Sequence, residues 1–181
     1  MAKNKDWIPW ALRRTNPDIF YFKDDGITPN SHLPILIYRG LFRDGYSNCD
    51  EWLADQFIKN GWFHICNMPI LGYYHYHSNT HQVLGVYSGS CYIKFAAKNS
   101  VRTELSKGDV VVIPAGVGHY CNDFSDGFKL VGAYPVGDEP DIMKGLTEER
   151  TVALENIKKV KIPDFDPILG DEEGGLRKFW T

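Results

Sequence analysis

GDVVVIPAGVGH, residues 108–119, decides how this chain is read. Val110, Val111, Val112 and Ile113 form an apolar, β-branched run of the kind that fills a buried strand. Pro114 has no N–H to give to a ladder, so the strand ends there. Gly116 tolerates the positive φ that a tight turn demands. The turn then launches a new strand that carries His119.

Working outward, the same rhythm holds over residues 62–135. Short runs rich in β-branched and aromatic residues lie at 83–87, 91–96, 110–113 and 128–133. Between them stand Ser88-Gly89-Ser90, Lys98-Asn99-Ser100, Ser106 to Asp109 and Asp126-Gly127. Close, regular spacing of this kind predicts an all-β sandwich or barrel. Earlier strands are expected at 20–22 and 33–38. A helix is expected at 50–60, where Trp52, Leu53, Phe57 and Ile58 recur at helical spacing and Gly61 follows. A second is expected at about 148–158, from Val152, Leu154 and Ile157. The domain reading is an N-terminal arm over 1–17 and one domain over 18–181. Its barrel core spans 62–135, and a C-terminal helix and tail occupy 145–181, with Leu176 and Trp180 packed on the barrel.

Three of the six histidines are telling. His75 and His77 are two apart in an expected strand, so both rings share one face. In a small barrel that face is the interior. Neutral imidazoles of His75, His77 and His119 converging in a closed cavity would make a metal site with coordination positions left open. His32 and His64 carry no functional expectation.

Composition narrows the classes. A chain of 181 residues with a net charge of -3 and no basic run longer than two residues has no electrostatic footprint for nucleic acid. No apolar run approaches the roughly 20 residues that span a bilayer. The N-terminus is polar, without a secretory h-region. Cys49, Cys66, Cys91 and Cys121 form no C-x-x-C pair and read as reduced, mostly buried thiols. A cytoplasmic protein is expected.

His75-Tyr76-His77, four residues, Gln82, six residues and Gly89 resemble the first cupin motif, G-x5-H-x-H-x3–4-E-x6-G. Gly108, five residues, Pro114, Ala115, Gly116, two residues and His119 resemble the second, G-x5-P-x-G-x2-H-x3-N. Residues 21–26, 38–40, 131–135 and 141–180 extend the likeness to the YjlB-like single-domain cupins, over nearly everything after residue 17. The resemblance implies an antiparallel double-stranded β-helix, a jelly-roll barrel with a few flanking helices. It also implies one divalent metal ion on His75, His77, His119 and the residue at position 82. Three positions depart from the motifs. Gln82 stands where the motif has the glutamate ligand, Pro69 where it has the leading glycine, and Asp123 where it has the asparagine.

An amide offers only a neutral carbonyl oxygen, so the ion would keep its full charge. Mn²⁺, which favours carboxylates, suffers most; Zn²⁺, Ni²⁺, Cu²⁺ and Fe²⁺ suit imidazole. His81 is the alternative to Gln82 and otherwise takes a surface or interface position. Tyr73 shares parity with His75 and His77, and any proton transfer would come from substrate, bound water or Tyr73; Gln82 and Tyr73 are the catalytic candidates, and Val111, Ile113 and Cys121 share the inward face. The expected function is a metalloenzyme of dioxygenase type acting on a small molecule, with isomerase or hydrolase chemistry next. The alternative is a non-catalytic small-molecule or metal-binding module. A homodimer is expected, with strands near Phe20 and Ile35 covering a sheet edge across chains.

Overall fold

The computed structural model describes residues 16–66, 71–137 and 139–181. All but the last two residues of the expected N-terminal arm lie outside them. Among these residues nine strands form: β1 (Asp18–Phe22), β2 (Ser31–Tyr38), β3 (Trp62–Cys66), β4 (Gln82–Ser88), β5 (Ser90–Phe95), β6 (Val101–Ser106), β7 (Val110–Ile113), β8 (His119–Phe124) and β9 (Lys129–Pro135). Among the described residues three α-helices accompany them: α1 (Cys49–Lys59), α2 (Arg150–Ile157) and α3 (Gly175–Phe179). The strands make a six-stranded sheet, β1-β2-β7-β4-β9-β3, and a three-stranded sheet, β6-β5-β8. Every pairing between them is antiparallel. This is the all-β architecture that the spacing of short strands predicts, with the two antiparallel sheets of the jelly roll that the resemblance implies.

The central strands β2, β7, β4 and β9 of the large sheet are largely buried on both faces, which explains apolar runs without polar alternation. Ile35 and Ile37 of β2, Val111 and Ile113 of β7, and Leu84 and Val86 of β4 point inward. They meet Cys91, Ile93, Leu105 and Cys121 of the small sheet. The alternate residues Leu36, Tyr38, Val110, Val112 and Val83 point outward. There Trp52, Leu53 and Phe57 of α1 cover them, together with Ile168, Leu176 and Trp180 of the tail. The helix therefore packs outside the barrel, as its spacing predicts.

Side-chain bonds to backbone strap the tail down. Gln56 Nε2 donates to Ile168 O at 2.8 Å, Asn60 Nδ2 to Pro167 O at 3.0 Å, and Trp62 Nε1 to Phe165 O at 3.1 Å. Trp180 Nε1 closes the strap on Pro34 O at 2.8 Å. The second helix differs from its expected span. Residues Thr147–Glu149 form a 3-10 turn, and α2 follows over Arg150–Ile157. Its buried residue is Ala153, whereas Val152 is 53% exposed. Strands β1 and β2 pair within the chain, so β2 lies inside the large sheet, whose edges are β1 and β3. Among the described residues no helix is long and apolar enough to cross a membrane.

Candidate metal centre

The turn after β7 builds the site. Val117 N–H closes it on Pro114 O at 3.2 Å, with Gly116 at φ +89°. A Cβ at Gly116 would stand 2.5 Å from Asn30 O, so only glycine fits. The Gly116 N–H reaches His77 O at 2.8 Å, tying the second motif to the first. His75 and His119 then exchange backbone bonds, 3.2 and 2.9 Å long. Only His75 and Tyr76 of residues 73–77 sit in bridges, so the expected strand here is a two-residue contact.

The three imidazoles face one another. Ring centroids of His75 and His119 are 4.5 Å apart, those of His75 and His77 5.5 Å, and those of His77 and His119 6.1 Å. One ring nitrogen of each lies within 4.8 Å of the others. Each Nδ1 faces a backbone carbonyl: His75 that of Tyr73 at 3.0 Å, His119 that of Val117 at 3.2 Å, and His77 that of Asp141. A carbonyl only accepts, so every Nδ1 carries the proton and every Nε2 presents a lone pair. Backbone anchoring of this kind fixes the tautomer of metal-binding histidines. The Nε2 atoms of His77 and His119 are buried without a partner.

Burial holds all three rings neutral. It pushes His77 down to about 4, and His119 well below the usual imidazole range with help from the neighbouring rings. His75 is lowered for the same reason. In the unfolded chain these rings accept protons near 6.5. The unfolded state therefore binds protons first, and the metal-free protein loses stability as pH falls from about 6.5 towards 4. The loss is of order 3 kcal/mol for His77. Urea titrations of chelated protein across that range measure it.

Gln82, 7% exposed, lines the same cavity. Its Nε2 donates to Tyr134 Oη at 2.9 Å, and its Oε1 is buried without a partner. Three ring lone pairs and an amide oxygen thus turn to one cavity with no donor among them. Unpaired buried acceptors are costly, and a cation is the group that resolves them together. The residues present therefore fit the divalent ion. The cavity measures ≈ 160 Å³ and is otherwise lined by Cys66, Leu71, Leu84, Leu130, Tyr134, Pro140 and Ile142.

Two expected positions differ. Tyr73 is 46% exposed, lies against the Lys144 ammonium at 5.5 Å, and lines no part of the cavity. Its contribution is its carbonyl, which holds His75. His81 faces away from the cavity, but it is buried rather than at the surface. It accepts the Ala115 N–H at 2.9 Å and packs on Trp180, 4.6 Å between centroids. Val111, Ile113 and Cys121 point inward yet belong to the core beyond the cavity. Tyr134 and Asp141 were not singled out in the sequence.

The order of the motifs agrees with the comparisons. A family model described as Cupin matches residues 73–135. The chain is 36% identical over 164 residues to the uncharacterised protein YjlB of Bacillus subtilis (strain 168), covering 90% of this chain and 95% of that protein. The chain belongs to the YjlB-like cupins. Among solved structures, this cupin is similar to a 3,4-ketoisomerase from Helicobacter canadensis. That match has 17% identity over 71% of this chain and 100% of the other, with a TM-score of 0.46. It is also similar to the acireductone dioxygenase from Bacillus anthracis, with 18% identity over 50% and 60% of the two chains and a TM-score of 0.38.

Proposed function

We propose that this cupin is a mononuclear metalloenzyme of dioxygenase type that acts on a small molecule. The ion would sit on Nε2 of His75, His77 and His119, with Gln82 Oε1 as the fourth donor. The observation that carries this is the convergence of buried, unprotonated Nε2 atoms whose Nδ1 atoms are already anchored. Bound there, a divalent ion supplies an open coordination position for dioxygen or a chelating substrate. The chain supplies the rest. Leu71, Leu84, Leu130, Pro140 and Ile142 exclude water, and among the described residues no Asp, Glu, Lys or Arg side chain lines the cavity. At ≈ 160 Å³ it is smaller than the roughly 300 Å³ at which drug-sized pockets begin, which favours a substrate of few atoms. The alternative is a binding module that holds such a molecule without turning it over.

Protein purified without chelator or nickel affinity is assayed for metal, then for dioxygen uptake with thiols, diketones and phenols. Uptake over many turnovers supports the enzyme. Tight binding without uptake supports the module.

The fourth donor has its own test. Gln82→Glu restores an anionic oxygen and is expected to tighten Mn²⁺ binding by about tenfold or more, a gain of about 1.4 kcal/mol. Equal Mn²⁺ affinity in the two proteins would show that residue 82 does not ligate.

The free thiols of Cys49, Cys66, Cys91 and Cys121 support a reducing, cytoplasmic setting. The open edge of β1 supports a homodimer paired there; light scattering at high concentration would show a monomer if that is wrong.

A further inference from the structure

Tyr134 lines the cavity with Gln82 and the three histidines, and its ring stands edge-on to His77 at 5.4 Å between centroids. Among the described residues, the hydrogen bond of its Oη is the one it accepts from Gln82 Nε2. A phenol has one proton to donate. Because Oη is already an acceptor towards Gln82, that proton is free to turn elsewhere, and Tyr134 lines the cavity. The orientation of the amide follows from the metal site, because Oε1 has to face the cation and Nε2 is left for Tyr134.

Among the described residues lining the cavity, no other offers a comparable donor. The ring nitrogens of His75, His77 and His119 that face the cavity are lone pairs, Gln82 presents an acceptor, and Leu71, Leu84, Leu130, Pro140 and Ile142 are apolar. Cys66 carries only a weak thiol donor. We infer that Tyr134 is the hydrogen-bond donor that meets an anionic atom bound beside the metal ion, and that the site selects small ligands binding through one such atom: an enolate, phenolate or thiolate. This rests on the metal reading above. The role is donation rather than base catalysis. A hydroxyl that accepts from Gln82 Nε2 has its own proton left to donate. The short reach also explains why no arginine or lysine is needed: the ion neutralises the ligand's charge and Tyr134 orients it.

The probe is azide, titrated into the Co²⁺-loaded protein and read in the visible spectrum. Three proteins are compared: wild type, Tyr134→Phe, and protein carrying 3-fluorotyrosine at position 134. Co²⁺ stoichiometry is measured in each. Tyr134→Phe is expected to weaken azide by about tenfold or more, as befits a lost bond to a charged group. The fluorinated phenol is more acidic and a stronger donor, so it is expected to bind azide more tightly than wild type. A purely structural tyrosine would not respond to phenol acidity. Azide affinities within about twofold of wild type in both variants, with Co²⁺ still bound, would overturn the inference and leave the metal reading standing. If Tyr134→Phe fails to hold Co²⁺, the fluorotyrosine comparison decides alone, and unchanged affinity there overturns it. Wild-type protein that takes up no Co²⁺ would sink the metal reading and this inference with it.

Discussion

His119→Leu is expected to lower bound divalent metal from about one equivalent per chain to below about a tenth of that, while the fold survives. Leucine matches the imidazole roughly in size and has no lone pair. His119 is 1% exposed and its Nε2 has no partner in the protein. Removing the unpaired Nε2 acceptor is neutral or stabilising for metal-free protein, while losing the Nδ1–H bond to Val117 O costs about 1 kcal/mol. Thermal melts of chelated protein should therefore show a Tm close to that of wild type. The acid sensitivity that His119 contributes should disappear as well, since its protonation is what burial opposes. His81→Leu is the matched control. His81 is as deeply buried, but its ring faces Trp180 and the Ala115 N–H. That variant is expected to keep its metal and to lose stability, because the Ala115 N–H loses its acceptor. Metal loss in His81→Leu, or full retention in His119→Leu, would reverse the assignment of the two rings.

The second large effect is on stability, at Asp166→Ala. Asp166 is 0% exposed and accepts four bonds. Oδ1 takes the N–H groups of Ile168 and Leu169 at 2.8 and 2.9 Å, and Oδ2 takes Leu176 N–H at 3.0 Å and the Tyr38 hydroxyl. One carboxylate thus fixes the tail to the outer face of β2. Gly175 must be glycine beside it, since a Cβ there would lie 2.1 Å from both Asp166 Oδ2 and Tyr38 Oη. Alanine at 166 strands four buried donors, and the cost is about 4–5 kcal/mol. That is a large share of the 5–15 kcal/mol typical of a domain. Urea unfolding should show the midpoint collapse. Tyr38→Phe strands no donor and should cost only about 1 kcal/mol. Equal midpoints for Asp166→Ala and wild type would mean that the tail contributes little to the fold.

What was legible in the sequence was local. Strand parity, a proline that ends a strand and a glycine that turns it act within a few residues, so 108–119 and the His75/His77 pair could be read directly. Parity failed at Tyr73 because residues 73–77 are not a continuous strand. A bend at Gly72-Tyr73 turns that ring to solvent, and only His75 and Tyr76 pair. The direction of His81 was legible, but its burial was not, because Trp180, ninety-nine residues later, supplies the cover. Tyr134 and Asp141 reach the site from 52 and 64 residues away, through Gln82 and His77. Nothing in local spacing marks them. The α2 face was misplaced because Val152, Leu154 and Ile157 have helical spacing, yet the helix sits on its smallest residue, Ala153. Strand β6 carries alternating polar residues at the edge of the small sheet and has no apolar run to announce it.

The central claim is that one cation joins His75, His77 and His119. Anomalous diffraction from crystals of protein never exposed to chelator or nickel resin, recorded on both sides of the absorption edges of the metals found by elemental analysis, tests it most directly. The account predicts a single anomalous peak per chain, at about 2.0–2.2 Å from the three Nε2 atoms if the ion is zinc. Three converging rings with no peak between them, or a peak bound by other side chains, would contradict it.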